Sequence, residues 1–124
     1  MISVIDDDAS IRIATDNLLR SLGYAVLTFE SAEEFLRSDS LDDISCVIAD
    51  VNMPAISGVE LLALLRTRGK RMPFIFITAF PDERIRTTAL AAGAIGFLTK
   101  PFDRGNFIRC IELALRADDG NAGH

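Results

Sequence analysis

Residues 46–58 of the chain read CVIADVNMPAISG, and this arrangement is the strongest indication of how the chain folds. A continuous apolar run ends at an acidic residue, Asp50, and residues typical of turns follow. Apolar runs without alternation are typical of strands that helices cover on both faces. Ser57 and Glu60 then have the S-x-x-E spacing of a helix-capping box. The stretch therefore predicts a buried parallel strand, a polar loop and a helix.

Outside this stretch, comparable apolar runs occur at residues 2–5, 25–27, 74–77 and 95–98. Segments with helical spacing separate them, and the first has its apolar stripe at Ile11, Ala14, Leu18 and Leu22. Repeated strand–helix units form parallel sheets with right-handed crossovers. Five units are too few for an eight-stranded barrel. We therefore predict the α/β class: a single, doubly wound, five-stranded parallel sheet with five helices on both faces.

The composition is that of one folded domain. The chain has 124 residues, of which 49% are hydrophobic and 25% charged, as in ordinary globular proteins. Its apolar runs are far shorter than the roughly 20 residues that span a bilayer, and Asp6 to Asp8 interrupt the first run, so no signal peptide is predicted. We expect a soluble, cytoplasmic domain over 1–117, and a flexible tail or start of a linker over 118–124.

Charge and residue types exclude several functions. The net charge of −5 argues against direct binding to nucleic acid, and the short apolar runs predict no membrane partner. The one histidine, His124, lies at the C-terminus, so a catalytic triad or a zinc site lacks its main ingredient. Cys46 and Cys110 lie in apolar segments without metal-ligand spacing, and we expect small buried side chains in a reducing compartment.

Polar residues follow four of the predicted strands. Asp6 and Asp7 follow the first strand, Asp50 the third and Thr78 the fourth, and Lys100 lies just beyond the fifth. The carboxyl ends of parallel strands meet at one edge of the sheet, where ligands bind. Carboxylates without histidine favour Mg²⁺, a lysine and a hydroxyl suit a phosphoryl group, and aspartate can attack phosphorus. The set predicts metal-assisted phosphoryl transfer onto Asp50.

Each of these residues also has a purely structural interpretation. An aspartate after a strand is more often a turn former or a helix cap, and Asp8 is predicted to cap the first helix. A threonine or lysine at a strand end is uninformative alone. Their joint placement at four strand ends favours the functional interpretation.

The motifs resemble those of the receiver domains of bacterial two-component response regulators over residues 1–117. They are Ile5-Asp6-Asp7, Asp50-Val51-Asn52-Met53-Pro54 with Gly58, Thr78-Ala79, and Lys100-Pro101-Phe102. The segment GAIGFLTKPF at 93–102 is most similar to the FixJ-like group, whose members usually carry a C-terminal DNA-binding domain. The resemblance implies a flavodoxin-like sheet of order 2-1-3-4-5.

The resemblance also implies roles at the acidic end of the site. Asp50 is expected to be the phosphoacceptor, taking its phosphoryl group from a histidine of a sensor kinase. Asp7 and Asp50 are expected to bind Mg²⁺ directly, Asp6 through water, and Asn52 through its main-chain carbonyl.

The switch residues follow from the same resemblance. Lys100 is expected to contact the acyl phosphate, and its bond to Pro101 to be cis. Thr78 is expected to move its hydroxyl onto a phosphate oxygen with help from the Ala79 amide. Phe97 occupies the aromatic position that turns inward as Thr78 moves, although a plain core aromatic remains an equal interpretation.

Two positions that vary within this family flank the path of the hydrolytic water. They are Asn52, two residues beyond Asp50, and the bulky Phe80, two beyond Thr78. We hypothesise that Phe80 shields the acyl phosphate and lengthens its lifetime.

The expected function is a phosphorylation-controlled switch that turns over no metabolite. The surface of the fourth helix, fifth strand and fifth helix is expected to change, with phosphorylation-dependent homodimerisation. The chain is either free-standing or the regulatory module of a transcription factor, and the FixJ-like resemblance favours the second, with DNA binding only through an attached output domain. The alternatives are a Mg²⁺-dependent phosphohydrolase with an aspartyl-phosphate intermediate, and a receiver that is never phosphorylated.

Overall fold

The computed structural model describes residues 1–39, 41–53, 55–80, 82–100 and 102–122, with side chains described as far as Arg116. Pro101, for which a cis peptide bond is predicted, lies outside the described residues. The strands are β1 (Ile2–Ile5), β2 (Val26–Phe29), β3 (Cys46–Asp50), β4 (Phe74–Thr78) and β5 (Gly96–Thr99). The helices are α1 (Ala9–Ser21), α2 (Ala32–Leu36), α3 (Gly58–Thr67), α4 (Glu83–Ala91) and α5 (Arg104–Ala122).

All five strands pair in parallel, in the order β2-β1-β3-β4-β5. The order reverses between β1 and β3, because the chain leaves β1 toward β2 and then returns past it to β3. At this switch point Asp6 follows the end of β1 and Asp50 ends β3, and such a point is the place where open α/β sheets bind ligands. The predicted fold class and strand order are confirmed.

Alternate side chains of the strands point into two separate cores. The core with α2, α3 and α4 contains Val47, Ala49, Phe74 and Phe76, whereas the core with α1 and α5 contains Ile48 and other residues of alternate positions. Because both faces are covered, the central strands are buried along their whole length. The burial of both faces explains why the sequence shows continuous apolar runs.

The strands extend further than the apolar runs predict. Asp50 and Thr78 are the last residues of β3 and β4, not the first residues of the loops, because their backbones remain in register with Ile77 and Thr99. Strands β2 and β5 begin one residue later than predicted and end at Phe29 and Thr99. The strand backbone therefore fixes two of the polar side chains of the site.

The buried face of α1 differs from the predicted stripe. Ala14 is exposed, whereas Thr15 and Leu19 are buried. The Thr15 hydroxyl donates to the Ile11 carbonyl oxygen at 2.8 Å, so the threonine is buried without losing a hydrogen bond. Because the hydroxyl has a partner within the helix, α1 can turn Thr15 toward the core, which apolar spacing alone does not predict.

Helix α5 continues to Ala122, which differs from the expected flexible tail over 118–122. Once a helix is nucleated, each added residue gains a hydrogen bond, and no proline interrupts the chain beyond Phe107. The domain boundary at residue 117 stays a prediction. Among the described residues, no helix has the length and apolar character to cross a membrane.

Candidate functional site

Lys100 joins two carboxylates at the carboxyl edge of the sheet. Its Nζ lies 3.0 Å from Asp6 Oδ2 and 2.9 Å from Asp50 Oδ2. The three side chains come from the ends of β1 and β3 and from the residue after β5, and each is 12% exposed or less. The sequence prediction that these remote residues meet is confirmed by the geometry.

Local backbone geometry orients Asp6. Its Oδ1 accepts from the Asp8 N–H at 2.9 Å, and its main-chain oxygen accepts from Arg12 Nη1 at 2.7 Å. Asp8 is the N-cap of α1, as predicted, and its carboxylate accepts from the amides of Ser10 and Ile11. The turn between β1 and α1 is therefore held from both sides, which leaves Asp7 exposed at its tip.

Asp50 lies at the base of an open cleft of about 460 Å³. Its second oxygen, Oδ1, accepts from the Asn52 main-chain N–H at 2.8 Å. The cleft is lined by Asp7, Asp8, Asp50, Asn52, Ala79, Phe80 and Lys100. A donor that enters this cleft meets a carboxylate whose two oxygens are both oriented by hydrogen bonds.

Burial affects the two ends of the Lys100–Asp6 pair differently. It raises the pKa of the Asp6 carboxyl above its ordinary value, although the Asp8 amide and Lys100 oppose the rise. Burial alone would lower the pKa of Lys100, but the bonds to Asp50 and Asp6 outweigh it and raise the pKa. Burial affects the pKa of Asp6 more than that of Lys100 because the Asp6 side chain is 3% exposed and the Lys100 side chain 12% exposed. Both pKa shifts therefore favour the protonated form of their group, in Asp6 because of burial and in Lys100 because of its carboxylate partners.

The three carboxylates fit a divalent cation. One oxygen each from Asp6, Asp7 and Asp50 lies within 4.8 Å of the others, close to the roughly 4 Å across which an octahedral Mg²⁺ holds its ligands. The donors are hard oxygens, which suit Mg²⁺. Asn52, the expected fourth ligand, lines the same cleft. The residues present therefore fit the expected ion.

The predicted switch residues lie on the α4 side of the cleft. Thr78 is 1% exposed, and Ala79 is exposed and lines the cleft. Phe97 is half-buried, lies in register with Phe76, and borders a second cavity of about 350 Å³ beside α4. Thr78 and Phe97 share a face of the sheet, because Thr99, two residues beyond Phe97, pairs with Thr78. Thr78 and Phe97 thus lie on the sheet face whose core includes Ala89 of α4.

Gly58 lets α3 approach the end of β3. A Cβ added there would lie 2.7 Å from the Asp50 carbonyl oxygen and 2.9 Å from Phe76 Cε1. The Gly58 amide also donates to the Val51 carbonyl oxygen at 3.0 Å, which fixes the helix start against the strand end. Main-chain atoms give way less readily than side chains, so only glycine fits without displacing Asp50.

We expect Gly58→Ala to lower the free energy of unfolding by about 1–3 kcal/mol, the usual cost of overpacking. Urea unfolding followed by circular dichroism measures the change. Gly105→Ala is the matched control, because its Cβ would meet only a side-chain atom, Asp103 Oδ2 at 3.0 Å, and no main-chain atom, and alanine favours the helix. Equal stability of Gly58→Ala and the native protein would show that the close approach is unimportant.

Sequence reasoning missed two features of the site. The first is Arg12, which holds the Asp6 carbonyl and lies 3.7 Å from Glu30. The second is the Asn52 side chain, whose Nδ2 donates to Thr78 Oγ1 at 3.1 Å. An arginine one turn into the helix after an acidic strand end could have indicated the first. No sequence signal indicated the second, because it depends on side-chain direction between residues 26 positions apart.

Known proteins with similar sequences are response regulators and transcriptional regulatory proteins. The family model for the response regulator receiver domain matches residues 2–112. The transcriptional regulatory protein TdiR of Thauera aromatica is 38% identical over 90% of this chain and 49% of its own length. FixJ of Bradyrhizobium diazoefficiens is also 38% identical, over 93% of this chain and 56% of its own. The chain thus spans about half the length of these curated relatives.

Solved structures share the fold. The response regulator StyR superimposes with a TM-score of 0.91 at 38% identity, covering 98% of this chain and 62% of that one. FixJ-N superimposes with a TM-score of 0.83 at 34% identity, covering 93% of this chain and 92% of that one.

Proposed function

This chain belongs to the family of response regulator receiver domains, and from that premise we propose that Asp50 accepts a phosphoryl group and that Lys100 and Thr78 convert the modification into a change of shape. Receiver domains of this kind are signalling domains of two-component systems, and response regulators receive their phosphoryl group from sensor kinases. The observation that carries the proposal is the placement of Lys100 Nζ within 3.0 Å of both Asp6 and Asp50 in an open cleft.

The proposed step is an in-line displacement at phosphorus. One Asp50 oxygen forms the new O–P bond while the P–N bond to the donor histidine breaks, and the leaving imidazole nitrogen takes the electron pair and a proton from solvent. With acetyl phosphate as donor, acetate leaves instead. Lys100 supplies a fixed positive charge where phosphoryl oxygens gather charge in the transition state. The Asn52 N–H holds the carboxylate in place during the attack.

Asp6, Asp7 and Asp50 would hold Mg²⁺, with the Asn52 carbonyl as a further ligand. When bound, the ion neutralises charge on the carboxylates and on the phosphoryl oxygens. Lys100 offsets part of the repulsion among these carboxylates before a donor arrives. Lys100 therefore supplies part of the positive charge that the transfer needs.

The output we propose is control of transcription through an attached domain, because the curated relatives are about twice as long and TdiR and FixJ are transcriptional regulators. The net charge of −5 argues against DNA binding by this part of the chain. Leu90 of α4 and Leu113 of α5 are exposed apolar side chains that suit a phosphorylation-dependent homodimer. We place the protein in the cytoplasm, as its cysteine usage indicates.

A phosphohydrolase is not favoured. Such an enzyme with an aspartyl-phosphate intermediate needs an Asp-x-Asp pair after the first strand, of which the second aspartate is a free acid and base. Asp8 stands at that position, but its carboxylate caps α1. The described residues also contain no inserted cap that would enclose a substrate.

Incubation with acetyl phosphate and Mg²⁺ tests the proposal. Intact mass spectrometry is expected to show one phosphoryl adduct per chain, and borohydride reduction followed by peptide mapping is expected to locate it at Asp50. Removal of Mg²⁺ with a chelator is the control and is expected to abolish the adduct. An adduct elsewhere, or sustained turnover of a phosphomonoester, would contradict the proposal.

Phe80 is expected to control how long the phosphoryl group survives. Its side chain is 74% exposed and lines the mouth of the cleft, where it obstructs water that approaches the acyl phosphate. We expect Phe80→Ala to hasten dephosphorylation by up to about tenfold, equivalent to about 1.4 kcal/mol of barrier. The decay of the phosphoryl adduct after removal of the donor measures it, with Ile13→Ala on α1 as the exposed apolar control. An unchanged decay would refute the shielding role.

A further inference from the structure

The hydroxyl of Thr78 is fully engaged in the resting protein. Its Oγ1 accepts from Asn52 Nδ2 at 3.1 Å and from the Phe80 N–H at 3.1 Å, and it lies 3.3 Å from the Phe80 carbonyl oxygen, to which it donates. A hydroxyl has one donor and two acceptor positions, so these three contacts use them all. A phosphoryl oxygen is an acceptor, so Thr78 has to withdraw its one O–H from the Phe80 carbonyl oxygen before it donates to the phosphoryl group, and its hydroxyl leaves Asn52 Nδ2 as it moves.

Asn52 touches both ends of the switch. Its main-chain N–H donates to Asp50 Oδ1 at 2.8 Å, while its side-chain amide donates to Thr78. The two contacts connect the loop after β3 with the last residue of β4. Asn52 therefore contacts both the carboxylate that is to be modified and the hydroxyl of Thr78.

The side chain of residue 80 does not compete with Thr78 for the Asn52 amide. The Phe80 side chain is a hydrocarbon that offers no acceptor, and it is 74% exposed at the cleft mouth. Thr78 as a residue is 1% exposed and its Oγ1 accepts from Asn52 Nδ2 at 3.1 Å, so this bond is shielded from competing solvent better than a surface contact.

We propose that the Asn52 side chain is a positioning residue that holds Thr78 in its resting orientation, so that phosphorylation has to break the Asn52–Thr78 hydrogen bond to turn the switch on. This inference rests on the proposed function of Asp50. A contact made in only one of two states stabilises that state, and its loss shifts the population toward the other. Asn52 therefore sets how readily the domain activates, in addition to any role of its carbonyl oxygen.

Titration with beryllium fluoride at saturating Mg²⁺ tests this inference, because that anion mimics a phosphoryl group on a carboxylate. A typical neutral hydrogen bond corresponds to a change of roughly two- to tenfold in an equilibrium constant. We therefore expect Asn52→Ala to bind beryllium fluoride about two- to tenfold more tightly than the native protein. In Asn52→Ala, the NMR signal of the Thr78 methyl group is expected to move, before any anion is added, toward the chemical shift that it has in the beryllium fluoride complex. Asn17→Ala, an exposed position on α1, is the matched control and is expected to behave like the native protein.

A double-mutant cycle separates this mechanism from a general loosening of the loop. Thr78→Val keeps the shape of the side chain and removes the hydroxyl, so Asn52→Ala is expected to have no further effect in that background. An equal gain with and without the Thr78 hydroxyl, or no gain from Asn52→Ala alone, would overturn the inference. If the native protein itself bound no beryllium fluoride and took up no phosphoryl group, the proposed function would fail first, and the switch role with it.

Discussion

The Asp50→Asn protein is expected to take up no phosphoryl group from acetyl phosphate, whereas the native protein takes up one. A carboxamide lacks the charged oxygen that attacks phosphorus. Among the described residues, Lys100 Nζ bonds only the carboxylates of Asp6 and Asp50. Intact mass after incubation with Mg²⁺ measures the result. Asp43→Asn is the matched control, since its carboxylate is exposed away from the cleft, and it is expected to label fully.

Asp50→Asn is also expected to fold, so that the loss of labelling reports chemistry. The carboxamide has nearly the same volume, its oxygen can accept from the Asn52 N–H, and Lys100 keeps its bond to Asp6. A thermal melt followed by circular dichroism checks this. If folded Asp50→Asn took up a phosphoryl group to the same extent as the native protein, another residue would be the acceptor and the prediction would be wrong.

Lys100→Met is expected to change two properties in opposite directions. Phosphoryl uptake is expected to slow roughly 100- to 1,000-fold, the usual cost of removing a donor aimed at transition-state charge. Mg²⁺ affinity is expected to rise about tenfold or more, because the carboxylates lose the ammonium that neutralises them at 3.0 Å and 2.9 Å. Single-turnover labelling measures the first property, and calorimetric titration measures the second.

Opposite signs distinguish an electrostatic role for Lys100 from a structural one. If Lys100 only supported the fold, its removal would weaken both phosphoryl uptake and Mg²⁺ binding. Lys70→Met is the control, because Lys70 pairs with Asp42 away from the cleft and an exposed pair contributes little. A fall in Mg²⁺ affinity of Lys100→Met would contradict the proposed charge balance.

The meeting of Asp6, Asp50 and Lys100 could be predicted from sequence because it depends only on topology. Continuous apolar runs indicate a parallel sheet, and a parallel sheet brings the carboxyl ends of its strands to one edge. No knowledge of side-chain rotamers enters that argument. The same holds for the Asp8 cap, which depends on local spacing alone.

What escaped prediction depends on side-chain direction. The Asn52 amide could face solvent, Asp50 or Thr78, and only the packed structure selects Thr78. In α1 the apolar spacing favoured Ala14 for the buried face, but Thr15 is buried because its hydroxyl finds a partner within the helix. The length of α5 was underestimated because helix propagation outweighed a polar composition over 118–122.

The bond between Lys100 and Asp6 joins positions 94 residues apart, and this separation has a consequence for biosynthesis. A nascent chain on the ribosome exposes Asp6, Asp7 and Asp50 long before residue 100 leaves the exit tunnel. Until then the carboxylates lack their ammonium and β4 lacks its neighbour β5. We therefore expect a truncated translation product that ends before β5 to take up phosphoryl groups far more slowly than the complete domain, because it lacks both the Lys100 ammonium and the docked edge strand.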